Sequence, residues 1–292
     1  MKAIAAFALA VSSVVAGYSP ATGLRAMYLS GAAYCNEASV KSWTCGQACS
    51  SEGGMTQVTT LKVSADGSFG YVGYQNGQII VSFRGSTNIA NWITNIDFIK
   101  TPYPGVPGAN VHEGFYAAFK DISPQLTAAV GALHTSHPTA SIVVTGHSLG
   151  GALATFAAAD LKKRFAAPIV FYTYGSPRTG DQAWSDYVMR NLDYYRVTHY
   201  NDIVPHVPLT AQGFNHAGTE VWYINPGDDM TYTICSNTAG KAENNNCANT
   251  QILTGVDAHL HYVGHQINNL CTSRSDKDPW EDYLDYTEPT QY

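Results

Sequence analysis

Val143-Val144-Thr145-Gly146-His147-Ser148-Leu149-Gly150-Gly151-Ala152 sets a Gly-x-Ser-x-Gly pattern between a β-branched run and a run of small residues. The pattern is that of a nucleophile elbow, a tight strand-to-helix turn that lifts one serine out of a sheet. The two glycines have a steric reason. A side chain at Gly146 or Gly150 would collide with the neighbouring strand or helix in so sharp a turn. Residues 142–144 read as a buried strand, and residues 152–161 as a helix packed closely on the sheet. In a chain with 26 glycines a five-residue match can arise by chance, and the strand before and helix after it supply the context that chance does not.

Working outward, residues 69–74 and 78–83 alternate or cluster apolar side chains around Asn76-Gly77, a strong hairpin pattern. A short helix is expected over 26–34, leading into Cys35. Residues 115–133 have helical spacing through Phe119, Ile122, Leu126 and Val130, with Pro124 expected to kink or divide the helix. After the elbow come a strand at 169–174, a helix at 181–190 and a strand at 195–199. Strand and helix alternate, as in an α/β domain whose mostly parallel sheet carries helices on both faces. No repeat and no Pro/Ser/Gly linker divides the chain.

The 292 residues carry a net charge of −6, with 13% charged and 12% aromatic side chains. That balance argues against a nucleic-acid partner and against steady attraction to an anionic membrane. Lys2, the apolar run 3–15 and the small residues at 14–17 read as a signal peptide over 1–17, cleaved after Ala16 or Gly17. The run is too short to span a bilayer comfortably, and no later segment reaches that length. The expectation is a secreted, soluble, extracellular protein with one domain over 18–271. Residues 272–292 form an acidic tail (Asp276, Asp278, Glu281, Asp282, Asp285, Glu288), expected as a surface extension.

Six cysteines in a secreted chain point to three disulfides. Cys45 and Cys49 are close enough to staple a small loop. Cys235 and Cys247 bracket a polar stretch that lacks core-forming residues. Cys35 and Cys271 would then tie the two ends together, although six cysteines permit about fifteen connectivities. Zinc at Cys45-x-x-x-Cys49 lacks a second close pair.

A serine hydroxyl needs a base to take its proton, an acid to orient that base, and donors for the oxyanion. In elbow-bearing hydrolases the chain order is serine, then acid, then histidine. Tyr195 to His199 runs into Asn201-Asp202-Ile203-Val204-Pro205, which places Asp202 at a strand end. Asp202 has an alternative reading as an ordinary turn acid. His206, His216, His259, His261 and His265 follow it. His259, after a loop and before an apolar stretch read as helical, suits a base at the sheet's edge. A metal site at His259, His261 and His265 is disfavoured, because residues two apart on a helix point to different sides. His147 is read as packing, and His206 and His216 as loop residues.

The elbow, Phe83-Arg84-Gly85-Ser86, Tyr174-Gly175-Ser176-Pro177-Arg178, Arg196-Val197-Thr198-His199 with Asn201 to Pro205, and Asp257-Ala258-His259-Leu260 with Tyr262 resemble the fungal class 3 lipases in motif and in order. This filamentous-fungal triacylglycerol lipase group also contains feruloyl esterases. The resemblance spans most of the chain and implies an α/β-hydrolase. It implies Ser148 as nucleophile, Asp202 as orienting acid, His259 as base, and Ser86 with Leu149 as the oxyanion hole. The cysteine pairings above match a pattern in parts of the family. The tail after Cys271 departs from many relatives, which end sooner.

In residues 87–98, Ile89, Trp92, Ile93 and Ile96 fall at i, i+3, i+4 and i+7, one helical face, while Asn88, Asn91, Thr94 and Asn95 take the other. Such a stripe is commonly a helix docked on the core. Here it directly follows Ser86, so the same helix could cover the site in water and offer its apolar face to lipid. That matches the lid of the lipase branch; the feruloyl esterase branch is more polar here. The expectation is a monomeric, lid-gated serine esterase acting on acylglycerols at a lipid–water interface, without metal or organic cofactor. The nearest alternative is a feruloyl or other soluble-ester esterase on the same fold. A catalytically silent binding protein is disfavoured by the intact Ser, Asp and His.

Overall fold

The computed structural model describes residues 17–63, 67–226 and 230–271. Apart from Gly17, the expected leader and the acidic tail lie outside the described residues. The chain enters through α1 (Pro20–Ala32), with Pro20 at its first position and the Ser19 hydroxyl capping Thr22 N–H. The helix expected over 26–34 therefore begins six residues earlier, because Ser19-Pro20 is itself a start pattern. The short helices α2 (Glu37–Ser42) and α3 (Gly46–Ser50) follow.

Then come β1 (Thr56–Lys62), β2 (Phe69–Gln75) and β3 (Gln78–Phe83), an antiparallel meander. Asn76 and Gly77 both have positive φ, 50° and 78°, as a two-residue hairpin turn demands. Next are α4 (Ile89–Asn95), the small ribbon of β4 (Lys100–Pro102) with β5 (Asn110–His112), and α5 (Glu113–Ser136). Pro124 does not divide α5. The proline faces solvent, and the Lys120 carbonyl that it leaves without an amide donor accepts from the Ser123 hydroxyl at 3.5 Å. The buried side chains of Phe119, Ile122, Leu126 and Val130 hold both halves on the sheet.

The second half alternates strand and helix: β6 (Ser141–His147), α6 (Leu149–Arg164), β7 (Ile169–Tyr174), α7 (Gln182–Asn191), β8 (Tyr194–His199), then β9 (Thr219–Tyr223) and β10 (Tyr232–Cys235). The eight-stranded sheet has the order β1-β2-β3-β6-β7-β8-β9-β10, and its strands from β3 through β9 run parallel. Both faces are covered, and the strands show it residue by residue. Ile79, Val81, Ile142, Val144 and Phe171 point into the core beneath α5 and α6. Their neighbours Ile80, Val143, Tyr172 and Tyr174 point into the core beneath α1. Successive side chains thus serve opposite layers, which is why these strands read as unbroken apolar runs.

Three disulfides join Cys35 to Cys271, Cys45 to Cys49 and Cys235 to Cys247. The first spans 236 residues and ties the end of the N-terminal helical segment to the end of the described chain. None of the described helices is long and apolar enough to cross a membrane.

Candidate active site

The elbow turns as its sequence requires. A Cβ on Gly146 would lie 2.5 Å from the carbonyl carbon of Gly150, and one on Gly150 would lie 2.7 Å from that of Phe83. Ser148 takes φ 58° and ψ −130°, a conformation that costs a non-glycine residue on the order of 1 to 3 kcal/mol. Its amide donates to Tyr174 O at 2.9 Å, which fastens the turn to β7. Leu149 opens α6, so its N–H points out of the helix without an intrahelical acceptor, beside the serine.

Asp202 follows β8 and is 1% exposed. His259 Nδ1–H donates to its carboxylate at 2.9 Å, Val204 N–H donates to Oδ1 at 2.8 Å, and the Tyr262 hydroxyl donates to Oδ2. Three donors therefore stabilise a buried carboxylate that, among the described residues, no Lys or Arg side chain contacts. Burial, then the Asp202 charge, raises the Tyr262 phenol well above its ordinary pKa, which keeps it a donor. Gly175, at φ +53°, makes room for this cluster: a Cβ there would lie 2.8 Å from His259 Nδ1.

The His259 ring belongs to a 3₁₀ turn, Asp257–Leu260, followed by a short two-stranded ribbon at 261–262 and 265–266. The apolar helical stretch expected after His259 is absent. Val263 and Gly264 both have positive φ and reverse the chain at once. Ser148 Oγ and His259 Nε2 are both buried, and neither makes a hydrogen bond among the described residues.

His147 lies between these parts and works through backbone. Its Nε2 is 2.8 Å from the carbonyl of His259, which can only accept, so Nε2 carries the proton. Nδ1 then accepts from the Tyr34 hydroxyl at 2.6 Å, and the Tyr34 oxygen accepts Gly85 N–H at 3.2 Å. Burial, with the nearby His259 second, lowers the His147 pKa well below the usual histidine range, so the ring is neutral as this directionality requires. The relay joins the strand end that precedes Ser86 to the backbone of His259. The sequence reading of His147 as packing missed this hydrogen bonding, and Tyr34 carried no motif of its own.

Of the other histidines, His206 places Nδ1 2.8 Å from the Asp202 carbonyl. His216 is buried, its amide donating to Glu243 and its Nε2 to Pro205 O. His265 meets the Tyr28 hydroxyl, and His261 turns to the surface side of the turn. The five histidines thus do not converge. A buried ion pair that the sequence did not reveal stands behind the Asp202 loop. Arg178 binds Glu243 through two nitrogens at 2.9 and 2.8 Å and donates to His206 O and Pro208 O. Burial raises the Glu243 carboxyl, yet the Arg178 and Arg196 guanidiniums outweigh it and hold the carboxyl far below the usual range. Only the Ser-Pro-Arg motif pointed toward this region.

The helix after Ser86 is α4. The Asn88 side chain caps it by accepting Asn91 N–H at 3.0 Å. Ile89 is buried, Trp92 and Ile93 are half-buried, and Asn91, Thr94 and Asn95 face water. The Trp92 ring stacks on Phe115 at 5.9 Å. Ile96 falls outside the helix, in extended backbone at φ −62° and ψ 124°, although it still packs on the core. The expected four-residue stripe is therefore three helical residues plus one beyond the end. Beneath it, Ser86, Trp92, Leu149 and Leu153 line part of a cavity of about 1030 Å³.

Residues 80–212 match the family model described as lipase (class 3). The chain is 39% identical over 201 residues to a lipase of Rhizomucor miehei, covering 66% of this chain and 54% of that protein. It is 38% identical over 219 residues to the secreted mono- and diacylglycerol lipase 1 of Fusarium solani, covering 72% of this chain and 63% of that protein. A solved structure described as a serine protease triad forming the catalytic centre of a triacylglycerol lipase superposes with a TM-score of 0.77. It is 32% identical and covers 85% of this chain and 95% of its own. The chain belongs to the class 3 lipase family. Its fold is the α/β-hydrolase type of those relatives. The match spans between half and two thirds of the length of the two curated relatives.

Proposed function

We propose that this class 3 lipase family member is a secreted enzyme that hydrolyses carboxylic esters of acylglycerols. The observation that carries the reading is the buried His259–Asp202 contact of 2.9 Å, joined to the elbow by the hydrogen bond from His147, the residue before Ser148, to the His259 carbonyl. In this reading Ser148 Oγ attacks the ester carbonyl and His259 Nε2 takes its proton. Asp202, with Tyr262 and Val204 holding its charge, fixes the tautomer with Nε2 free and stabilises the imidazolium. The Leu149 N–H and the Ser86 N–H and hydroxyl receive the developing oxyanion. His259 then protonates the departing glycerol oxygen, and water repeats the cycle on the acyl-enzyme. None of these steps calls for a metal or an organic cofactor.

The helix Ile89–Asn95 is the lid in this reading. Ser148 and His259 are both fully covered, which corresponds to the closed form. The names of the relatives support an acylglycerol substrate, and the three disulfides suit an oxidising, extracellular setting. The test is hydrolysis of emulsified triacylglycerol and of a dissolved short-chain ester by wild type and Ser148→Ala. The reading expects wild-type turnover on both, higher on the emulsion, and a loss on the order of 10⁶ in kcat for the variant. A Ser148→Ala protein that retained a tenth of the activity would overturn it.

A further inference from the structure

Seven large apolar side chains are exposed among the described residues, and they are not scattered. Ile252 is 93% exposed and Leu253 is 83% exposed, far beyond Phe98, Ile99, Leu209, Met230 and Ile234, which lie between 41% and 55%. Met230 and Ile234 sit at the β10 edge. The other five lie on segments hydrogen-bonded to the loop that carries Asp202. At its start, Asn201 Nδ2–H donates to the Leu253 carbonyl at 3.2 Å, and Gly255 N–H donates back to Asn201 O at 2.9 Å. Ile203 N–H donates to Gly255 O at 3.0 Å. At its far end, next to Leu209, Lys100 Nζ donates to Gln212 O at 3.0 Å and brings the segment that bears Phe98 and Ile99 alongside. Apolar exposure is thus concentrated on segments tied to the stretch that follows β8 and carries Asp202.

The tip has further properties of a docking element. Residues 244–256 contain no charged side chain. The backbone on either side of the tip is pinned, so little ordering entropy is lost when Ile252 and Leu253 are covered. Neither side chain belongs to the lid, and both are exposed while Ser148 is still covered.

Resting on the lipase reading above, we propose that Ile252 and Leu253 form a lid-independent anchor for a neutral lipid surface. The enzyme attaches through this tip in the closed state, with Leu209 and Ile99 as secondary contacts, and the lid opens afterwards on a surface already held. The occupant is uncharged oil, since the tip offers no cation for an anionic headgroup. Each aliphatic side chain that leaves water completely favours attachment by roughly 10- to 100-fold.

The test uses the full-length protein carrying Ser148→Ala, so that adsorption is measured without hydrolysis, on triolein droplets. Adding Ile252→Ser and Leu253→Ser should lower the adsorption constant at least about tenfold. In the active protein the same pair should leave kcat/KM on a dissolved ester unchanged. That unchanged value also shows that the variant folds. Separately, Leu253→Trp should give a blue-shifted emission on adding droplets, at low and at high salt alike. Unchanged adsorption of the double variant, or no shift from the tryptophan, overturns the anchor and leaves the esterase assignment standing. So does an effect confined to anionic vesicles and abolished by salt, or one explained by loss of a dimer in sedimentation. Turnover of dissolved ester by a wild type that adsorbs to no droplet would instead overturn the lipase reading, and the anchor with it.

Discussion

The Nε2–H of His147 donates to the backbone carbonyl of His259 across 2.8 Å, so the residue before Ser148 holds the residue proposed as its base. Its other nitrogen is held by Tyr34, whose oxygen also accepts the amide next to Ser86. A single phenol thereby sets the spacing between the oxyanion strand and the base. Tyr34→Phe removes one donor and one acceptor from a buried site, each worth roughly 1 to 3 kcal/mol when left unpaired. The expected result is a lower melting temperature and a fall of about tenfold in kcat with KM little changed. Steady-state kinetics on a dissolved ester check this. An unchanged kcat would reduce Tyr34 to packing.

Tyr262 touches the acid rather than the base. Tyr262→Phe leaves Asp202 with the His259 ring and the Val204 amide, a loss of one charge-assisted bond of about 1.5 to 3 kcal/mol. If most of that loss falls on the imidazolium-bearing transition state, kcat drops roughly 10- to 100-fold. The drop should stay well short of that for His259→Ala. Equal loss in the two variants would mean that the phenol holds the fold of the Asp257–Leu260 turn rather than the charge.

Trp92 is expected to separate interfacial from soluble turnover. Its ring lies on Phe115 and lines the cavity next to Ser86. If the segment is a lid, uncovering several such side chains in water costs roughly 1.5 to 3 kcal/mol each when complete, so the closed form should dominate in solution and a lipid surface should reverse the balance. Trp92→Ser should reduce activity on emulsions more than on dissolved ester, and wild-type rate should rise sharply as a short-chain ester passes its solubility limit. Simple saturation through that limit, with equal loss on both substrates, would make the segment a static helix and favour the soluble-ester esterase.

Stability should fall on mild acidification. Burial comes first for both His147 and His216 in lowering their pKa well below the usual range, so each stays neutral in the folded protein. Below about pH 6.5 the unfolded chain protonates them and the folded chain does not, so stability is present above that value and is lost as pH falls. Each contributes a slope of roughly 1.4 kcal/mol per pH unit. Glu52 acts oppositely. Burial, opposed by Arg25, pushes its carboxyl up to about 7, so it takes up a proton in the folded state as pH falls through that value. For these three groups the net is uptake of about one proton on unfolding between pH 6 and 5, and His112, whose pKa burial also lowers, adds to it. The melting temperature should decline over that interval, and more steeply in Glu52→Gln. A melting temperature that rises from pH 6 to pH 5 contradicts this assignment.

The parts of the fold and site that were legible in the sequence share a cause: their chemistry is local. The elbow glycines, the Asn76-Gly77 turn and the alternating strands act on neighbours in the chain, so a short window carries them. Pro124 was misread because its effect depends on which face it occupies and on Ser123 replacing the missing donor. The stretch after His259 was misread because an apolar run followed by a positive-φ pair at Val263-Gly264 folds back rather than continuing. Tyr34, Tyr262, and the Arg178–Glu243 pair act across 113, 60 and 65 positions, and no local pattern encodes such partners.

The most direct measurement is covalent labelling with a p-nitrophenyl alkylphosphonate, followed by peptide mass mapping. The arrangement of Ser148, His259 and Asp202 predicts one adduct per chain, on Ser148, with stoichiometric release of p-nitrophenol and matching loss of ester hydrolysis. His259→Ala should slow the labelling by several orders of magnitude, and Ser148→Ala should abolish it. An adduct on another serine, or undiminished labelling in His259→Ala, would contradict the assignment of these three residues as one catalytic unit.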